Sequence, residues 1–184
     1  MPAVWTPITD PERVASLRRL ALLDTPPNPT FDRLTELARQ LLEVPMALIT
    51  LVDCDRQFFL SASGLPEPFR ATRQTPLEYS LCQFAVAARR PLIIGDTRAD
   101  RLLAGNAAVA LLGVAAYAGI PLITEDDHAV GTLCVLDVVA RDWTDDQLAT
   151  LAHLADVTID EIRLQYQDRI AAIRLGWPGI NGSL

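Results

Sequence analysis

Three cysteines, two histidines and a few clustered acids are the side chains best suited to chemistry in this sequence. Cys54, Cys82 and Cys134 lack the spacing of a metal site, and an odd number argues against a disulfide framework. Cys134 sits inside an apolar run, where a thiol is inert. Cys54 lies between Asp53 and Asp55, whose negative charge raises its pKa and makes it a poor nucleophile. Glu125, Asp126 and Asp127 are consecutive. They lack the alternate spacing and the glycine of a calcium loop, so they read as a solvated turn. His128 belongs to that turn and His153 to a long helix. Asp96, Arg98 and Asp100 hold a carboxylate and a guanidinium close together. They could bind a polar ligand by charge-assisted hydrogen bonds. Equally, they could only stabilise a turn and cap the next helix.

The elements that must position these groups follow from pattern. Ala116–Ile123 and Ala129–Leu136 are apolar runs joined by a short polar linker, which reads as a β-hairpin. Neither run alternates cleanly, so both faces are expected to be covered, at the centre of a sheet. Gly119 and Gly131 mark bulges or close backbone approaches, and Pro121 a bulge or an unpaired N–H. Upstream, Thr9-Asp10-Pro11-Glu12 starts a helix that ends before the prolines of Asp24–Pro29. Thr30 caps a second helix carrying Phe31, Leu34, Leu37, Ala38 and Leu41 on one face, closed by Pro45. Met46–Val52 and Gln57–Ala62 are strands, and Ser63–Pro76 is a long loop of the kind that forms lids. Glu78–Arg89 is a short helix, Pro91–Ile94 a short strand, and Asn106–Leu112 a weak helix. Thr144-Asp-Asp-Gln147 is a capping box for a helix running to about Leu175, ~45 Å long. The expected organisation is an arm over 1–9, a domain over 10–175 whose long helix covers 144–175, and a frayed tail over 176–184.

Composition narrows the function classes. The net charge is −7 with no basic patch, which excludes an ordinary nucleic-acid-binding surface. All sixteen basic residues are arginine. They share no motif and read as a compositional bias at the surface. Apolar runs break within about ten residues, too short to span a membrane. The first residues carry no positive region followed by an apolar one, so no signal peptide is expected, and a reducing cytoplasm fits the cysteines.

The order of elements resembles the GAF domain, a bacterial sensor module. Arg13–Pro26 resembles the N-terminal helix of such proteins, and Val52–Phe59 their strand–turn–strand signature. Glu78-Tyr-Ser-Leu-Cys82 is similar to a pattern usually written with Ser-Phe-Cys. Pro91–Asp100 resembles their short strand and Asp-x-Arg-x-Asp turn. Tyr117–Leu122 and Gly131–Asp137 resemble the sheet centre. The resemblance covers roughly residues 10 to 165.

This resemblance implies an α+β fold with a central six-stranded antiparallel sheet. The N- and C-terminal helices lie on one face, and loops and short helices form a small-molecule pocket on the other. The implied lining is Phe58, Tyr79, Ser80, Cys82, Phe84, Asp96, Arg98, Leu102 and Tyr117. Family cofactors are varied, and this sequence identifies none. The Asn-Lys-x-Phe-Asp-Glu signature of the cyclic-nucleotide branch needs a lysine, which the chain lacks. A haem needs an axial ligand, and both histidines are expected outside the pocket. Cys82 and Cys134 read either as a redox or ligand-sensing pair or as two buried small hydrophobes. The expected function is a non-enzymatic cytoplasmic sensory module. It would bind an unidentified small molecule or a signalling partner: a kinase, phosphatase or cyclic-di-nucleotide enzyme. It would be a homodimer through its N-terminal and long C-terminal helices, whether stand-alone or part of a longer chain. The alternatives are a cysteine-dependent reductase of free methionine sulfoxide and a purely structural dimeriser.

Overall fold

The computed structural model describes residues 5–100, 103 and 105–175. In chain order these are α1 (Trp5–Ile8), α2 (Pro11–Arg19), α3 (Pro29–Leu41), β1 (Met46–Val52), β2 (Arg56–Ser63), α4 (Phe69–Thr72) and β3 (Gln74–Pro76). A 3-10 turn (Leu77–Tyr79) leads into α5 (Cys82–Ala88), β4 (Leu92–Ile94), α6 (Ala107–Leu112), β5 (Ala116–Ile123), β6 (Ala129–Asp137) and α7 (Asp145–Arg174). The strands form one antiparallel six-stranded sheet in the order β3-β2-β1-β6-β5-β4. The expected fold is therefore present.

The helix starts follow local chemistry. The Asp10 carboxylate accepts from the Glu12 and Arg13 amides, and Pro11 takes the first helical position. α3 starts earlier than expected. Asn28 rather than Thr30 is the cap, because Pro29 fits the first helical position, where its missing N–H costs nothing. α7 has the expected capping box between Thr144 and Gln147. The expected loop over Ser63–Pro76 is a correction. It holds α4 and the edge strand β3, whose Thr75 pairs with Gln57. The expected helix from Glu78 is also split. Ser80 is extended, and its hydroxyl accepts from the Gln83 amide, so a turn precedes α5. Leu102 and the tail over 176–184 lie outside the described residues.

β1 and β6 are buried along their whole length. Strand alternation divides their side chains between two cores. Ile49, Leu51, Leu133 and Val135 meet Leu17 of α2, Phe31 of α3, Leu42 just beyond it, and Leu151 and Ile162 of α7. Leu48, Cys134 and Leu136 meet Ile8, Leu81, Cys82, Val86 and Tyr117 on the other face. Thus α2, α3 and α7 share one face, and α1 and α5 cover the other. Between the central strands, a Cβ at Gly131 would strike the Thr50 carbonyl oxygen. The close approach expected there is real. Pro121 keeps its register opposite Thr132, and the irregularity falls between Leu122 and Ile123.

Arginine is not confined to the surface, contrary to the expectation from composition. Arg13 is 5 % exposed and donates to the carbonyls of Ile8 (3.1 Å), Val52 (2.7 Å) and Ala129 (3.4 Å). It thereby ties α1 and α2 to both central strands. Arg169 of α7 donates to the Leu20 and Ala21 carbonyls at 2.8 Å, where α2 ends. Arg141 does the same for α3 through Leu42 (3.2 Å) and Glu43, and pairs with Asp137. These groups satisfy orphan carbonyls and complement the negative end of each helix.

Arg13→Leu leaves buried carbonyls unpaired and is expected to cost about 3 kcal/mol. Urea unfolding measures this, and a loss under about 1 kcal/mol would contradict the clamp. A second expectation concerns acid. Backbone amides of Arg13 and Glu12 hold Asp10 below its ordinary value, and the Arg56 hydrogen bond does so for Asp24. Arg39, then Ser63 and Gln40, bring Glu36 down to about 2. Depressed carboxyl pKa values stabilise the fold above the unfolded-state values of 3.8 and 4.5, and that contribution disappears as pH falls towards 2. The urea midpoint is therefore expected to fall steadily between those limits, whereas a constant midpoint would oppose the assignment.

Candidate functional site

The expected pocket face is organised by α5 and the central strands. Cys82 opens α5, and Cys134 lies in the middle of β6 opposite Leu48 and Gly119. Their sulfur atoms are 3.6 Å apart. The Tyr117 hydroxyl donates to Cys82 Sγ at 3.4 Å. Beside them the Thr50 and Thr132 hydroxyls are 3.0 Å apart. Gly119 makes room for this arrangement, since a Cβ there would strike the Tyr117 ring and hydroxyl. Five polar or soft side chains thus form a closed cluster inside an otherwise apolar layer. Cys82 is 2 % exposed, and Thr50, Tyr117, Thr132 and Cys134 are fully buried.

Burial opposes ionisation of both thiols. Against that cost, hydrogen bonds involving Cys134, Thr132, Thr50 and Tyr117 bring Cys82 below its ordinary value. Burial, followed by the neighbouring Cys82, pushes Cys134 well up. Burial likewise raises Tyr117, which remains a neutral donor. Cys54 stands apart on the β1–β2 turn. Burial first, then Asp53 and Asp55, raises its pKa, in the direction its neighbours implied.

A second polar group supports the start of α5. Ser80 donates to Gln57 Oε1 (2.5 Å), while Gln83 Nε2 and Asn106 Nδ2 donate to the Ser80 carbonyl at 2.9 and 3.2 Å. Among the residues implied as pocket lining, Cys82 and Tyr117 are in contact, and all of Ser80, Cys82 and Tyr117 are buried, Ser80 in its own network. Phe84 is half-buried against the same core. Tyr79 is half-buried against Phe69, ring centroids 6.3 Å apart. Phe58 is on the opposite face, under the Arg73 guanidinium (5.0 Å from its ring), and Phe59 takes the α5 side. Asp96 and Arg98 pair with each other at 2.9 and 3.0 Å in an exposed turn. That is the turn-stabilising arrangement, complete without a ligand.

The cavities lie elsewhere. One, about 370 Å³, opens between α2, the hairpin tip and α7, lined by Leu20, Ile123, Ile159 and Tyr166 with Arg19 and Arg163 beside them. A second, about 350 Å³, includes Asp10, Arg13, Arg89, Asp127 and His128. The acidic tip is more than a solvated turn. Asp126 accepts from Ser16 (2.9 Å) and pairs with Arg19, Arg89 pairs with Asp127, and Arg163 reaches Glu125 at 3.2 Å. These exposed pairs are individually weak, but together they orient the tip between the helices. Consecutive acids opposite three arginines were the available signal, and only the fold brings them together. Among the described residues, Asp53, Cys54 and Asp55 are the group close enough to share a metal, and Asp53 already pairs with Arg18 at 3.3 Å.

The GAF domain family model matches residues 26–159. A cyclic di-GMP phosphodiesterase of Pseudomonas aeruginosa is 29% identical over 158 residues; this covers 85% of the chain and 26% of that protein. The chain therefore spans about a quarter of that relative's length. The GAF domain of an Acinetobacter phosphoenolpyruvate-protein phosphotransferase superposes with a TM-score of 0.59 at 14% identity, covering 91% of this chain and 99% of that one. The free methionine-R-sulfoxide reductase of Neisseria meningitidis gives 0.61 at 13% identity, covering 86% and 88%. At these identities the superpositions establish the fold alone.

Maleimide at neutral pH is expected to label Cys54 in the folded protein and leave Cys82 and Cys134 unmodified. Asp55→Asn removes a negative charge and is expected to speed labelling of Cys54 severalfold. A labelling rate that ignores this substitution would contradict the electrostatic part of the account.

Proposed function

The chain belongs to the GAF domain family, and from that premise we propose that it is a non-enzymatic sensory module acting as a homodimer through its helical face. The observation that carries this reading is α7. Its last fully buried residue is Ile162, yet the helix continues to Arg174, about three further turns. Val157 (50%) and Leu164 (53%) are exposed, and Ala171 continues the same seven-residue spacing. These three positions form a narrow apolar stripe that a second copy of the same helix would bury. Leu37 (42%) and Leu41 (56%) extend the apolar surface on α3, which packs beside α7. The expected contribution of the N-terminal helix moves from α2 to α3. The outward face of α2 is charged, and Arg19 is engaged with the hairpin tip.

Burial of Cys82 and Cys134 supports a binding role over a reductase, whose thiol must meet a substrate far larger than water. The cyclic-di-nucleotide relative favours an enzyme of that class as the output partner. A small-molecule ligand would act by its differential affinity for two packings of the helices. No helix among the described residues is long and apolar enough to cross a membrane.

Sedimentation equilibrium at micromolar concentration is expected to give a dimer. The double variant Val157→Glu, Leu164→Glu is expected to give a folded monomer, because both side chains are exposed in the single chain and their loss alters its stability by only ~0.5 kcal/mol. A monomeric wild-type protein would overturn the reading. In a thermal-shift screen of nucleotides and metabolites, a ligand at about 100 times its Kd adds about 2.7 kcal/mol of stability.

A further inference from the structure

The cluster around Cys82 has no part in the dimer or in helix capping. Two thiols 52 positions apart in sequence meet at 3.6 Å, one on a helix and one on a fully buried strand. Two small hydrophobes would fill the space without hydroxyl partners. Here Tyr117 reaches Cys82 only because position 119 is glycine, and Thr50 and Thr132 complete a polar wall. We propose that Cys82 and Cys134 form a reversible intramolecular disulfide, with hydrogen peroxide or a similarly small hydroperoxide as the oxidant.

The sulfurs must close to about 2.05 Å, a movement of about 1.5 Å. Cys82 is the first residue of α5 and follows the extended Ser80 and the cap Leu81, so side-chain rotation and a small shift of the helix start supply it. The chemistry proceeds in two steps. The Cys82 thiolate attacks one peroxide oxygen: an S–O bond forms, the O–O bond breaks, and the departing hydroxide takes up the proton that Cys82 released. The Cys134 sulfur then attacks the Cys82 sulfenic acid. The S–S bond forms, the S–O bond breaks, and the second hydroxide leaves as water with the Cys134 proton. Two electrons pass from the thiols to the peroxide, and two waters result. A small dithiol reverses the change by thiol–disulfide exchange.

Cys82 is the attacking sulfur because Tyr117 donates to it, which favours its thiolate. Burial restricts the oxidant to one little larger than water, admitted when the start of α5 moves. The product tethers α5 covalently to the central strand. This assignment is independent of the dimer and of any ligand.

The test uses the full chain, folded, treated with hydrogen peroxide, quenched, and alkylated with N-ethylmaleimide in denaturant. Two of the three thiols are expected to escape alkylation, the intact mass to fall by two hydrogens, and peptide mapping to find Cys82 joined to Cys134. Dithiothreitol is expected to restore all three. Cys54→Ser, remote from the pair, is expected to behave identically. In Cys134→Ser, dimedone is expected to trap a sulfenic acid on Cys82. Survival of both thiols, oxidation confined to Cys54, or a link that forms only in urea would each overturn the proposal. The wild-type mapping decides the matter even if Cys134→Ser fails to fold.

Discussion

The fold depends on burying β1 and β6 from both sides at once. Their sixteen residues are all buried, so the sheet is stable only with helices on each face. The two strands also lie so close at Gly131 that a single methyl group would meet the Thr50 carbonyl. This constraint fixes register, since a one-residue slip would exchange the two side-chain sets between the cores. Everything outside the central pair is placed relative to it. α2, α3 and α7 rest on Ile49, Leu51, Leu133 and Val135, and α1 and α5 on Leu48, Cys134 and Leu136.

Arginine links these layers. Arg13 joins the first helices to the ends of both central strands, and Arg141 and Arg169 close the ends of α3 and α2. The guanidinium suits this task because it offers five donors in a fixed plane and stays charged when buried. The consequence is that the two faces have different capacities. The α5 face buries Tyr117, the thiols and the Ser80 network, with a cavity at its edge beside Val86 and Arg89. The α2–α7 face keeps an open groove and exposes Val157 and Leu164.

Much of this was legible in the residues. Met46–Val52 is a strand with the bounds expected, since seven apolar residues are framed by Pro45 and Asp53. The hairpin and the α7 capping box follow from equally local signals. What escaped was set by distant partners. β3 is three residues, two of them exposed, and exists because Gln57 and Phe58 offer an edge. Phe58 and Phe59 must face opposite ways, and the sequence does not say which faces α5; register assigns Phe59 there. Arg13 looked like one more surface charge, and its carbonyl partners lie up to 116 positions away. Cys82 and Cys134 were legible as one of two readings, a pair or two buried hydrophobes, but their direct contact is created only by the packing of α5 on β6. Within the implied pocket lining, Cys82 and Tyr117 come together, whereas Asp96 and Arg98 satisfy one another in an exposed turn.

A rigid β1–β6 platform separates the thiol-bearing α5 face from the α2–α3–α7 face. Native-state hydrogen exchange tests it most directly. The amides of Leu48–Leu51 and Leu133–Val135 should exchange only through global unfolding, with a free energy equal to that from urea denaturation. The last turns of α7, beyond Ile162, should exchange through local opening at much lower cost. Central-strand amides that exchange as readily as the end of α7 would contradict the account.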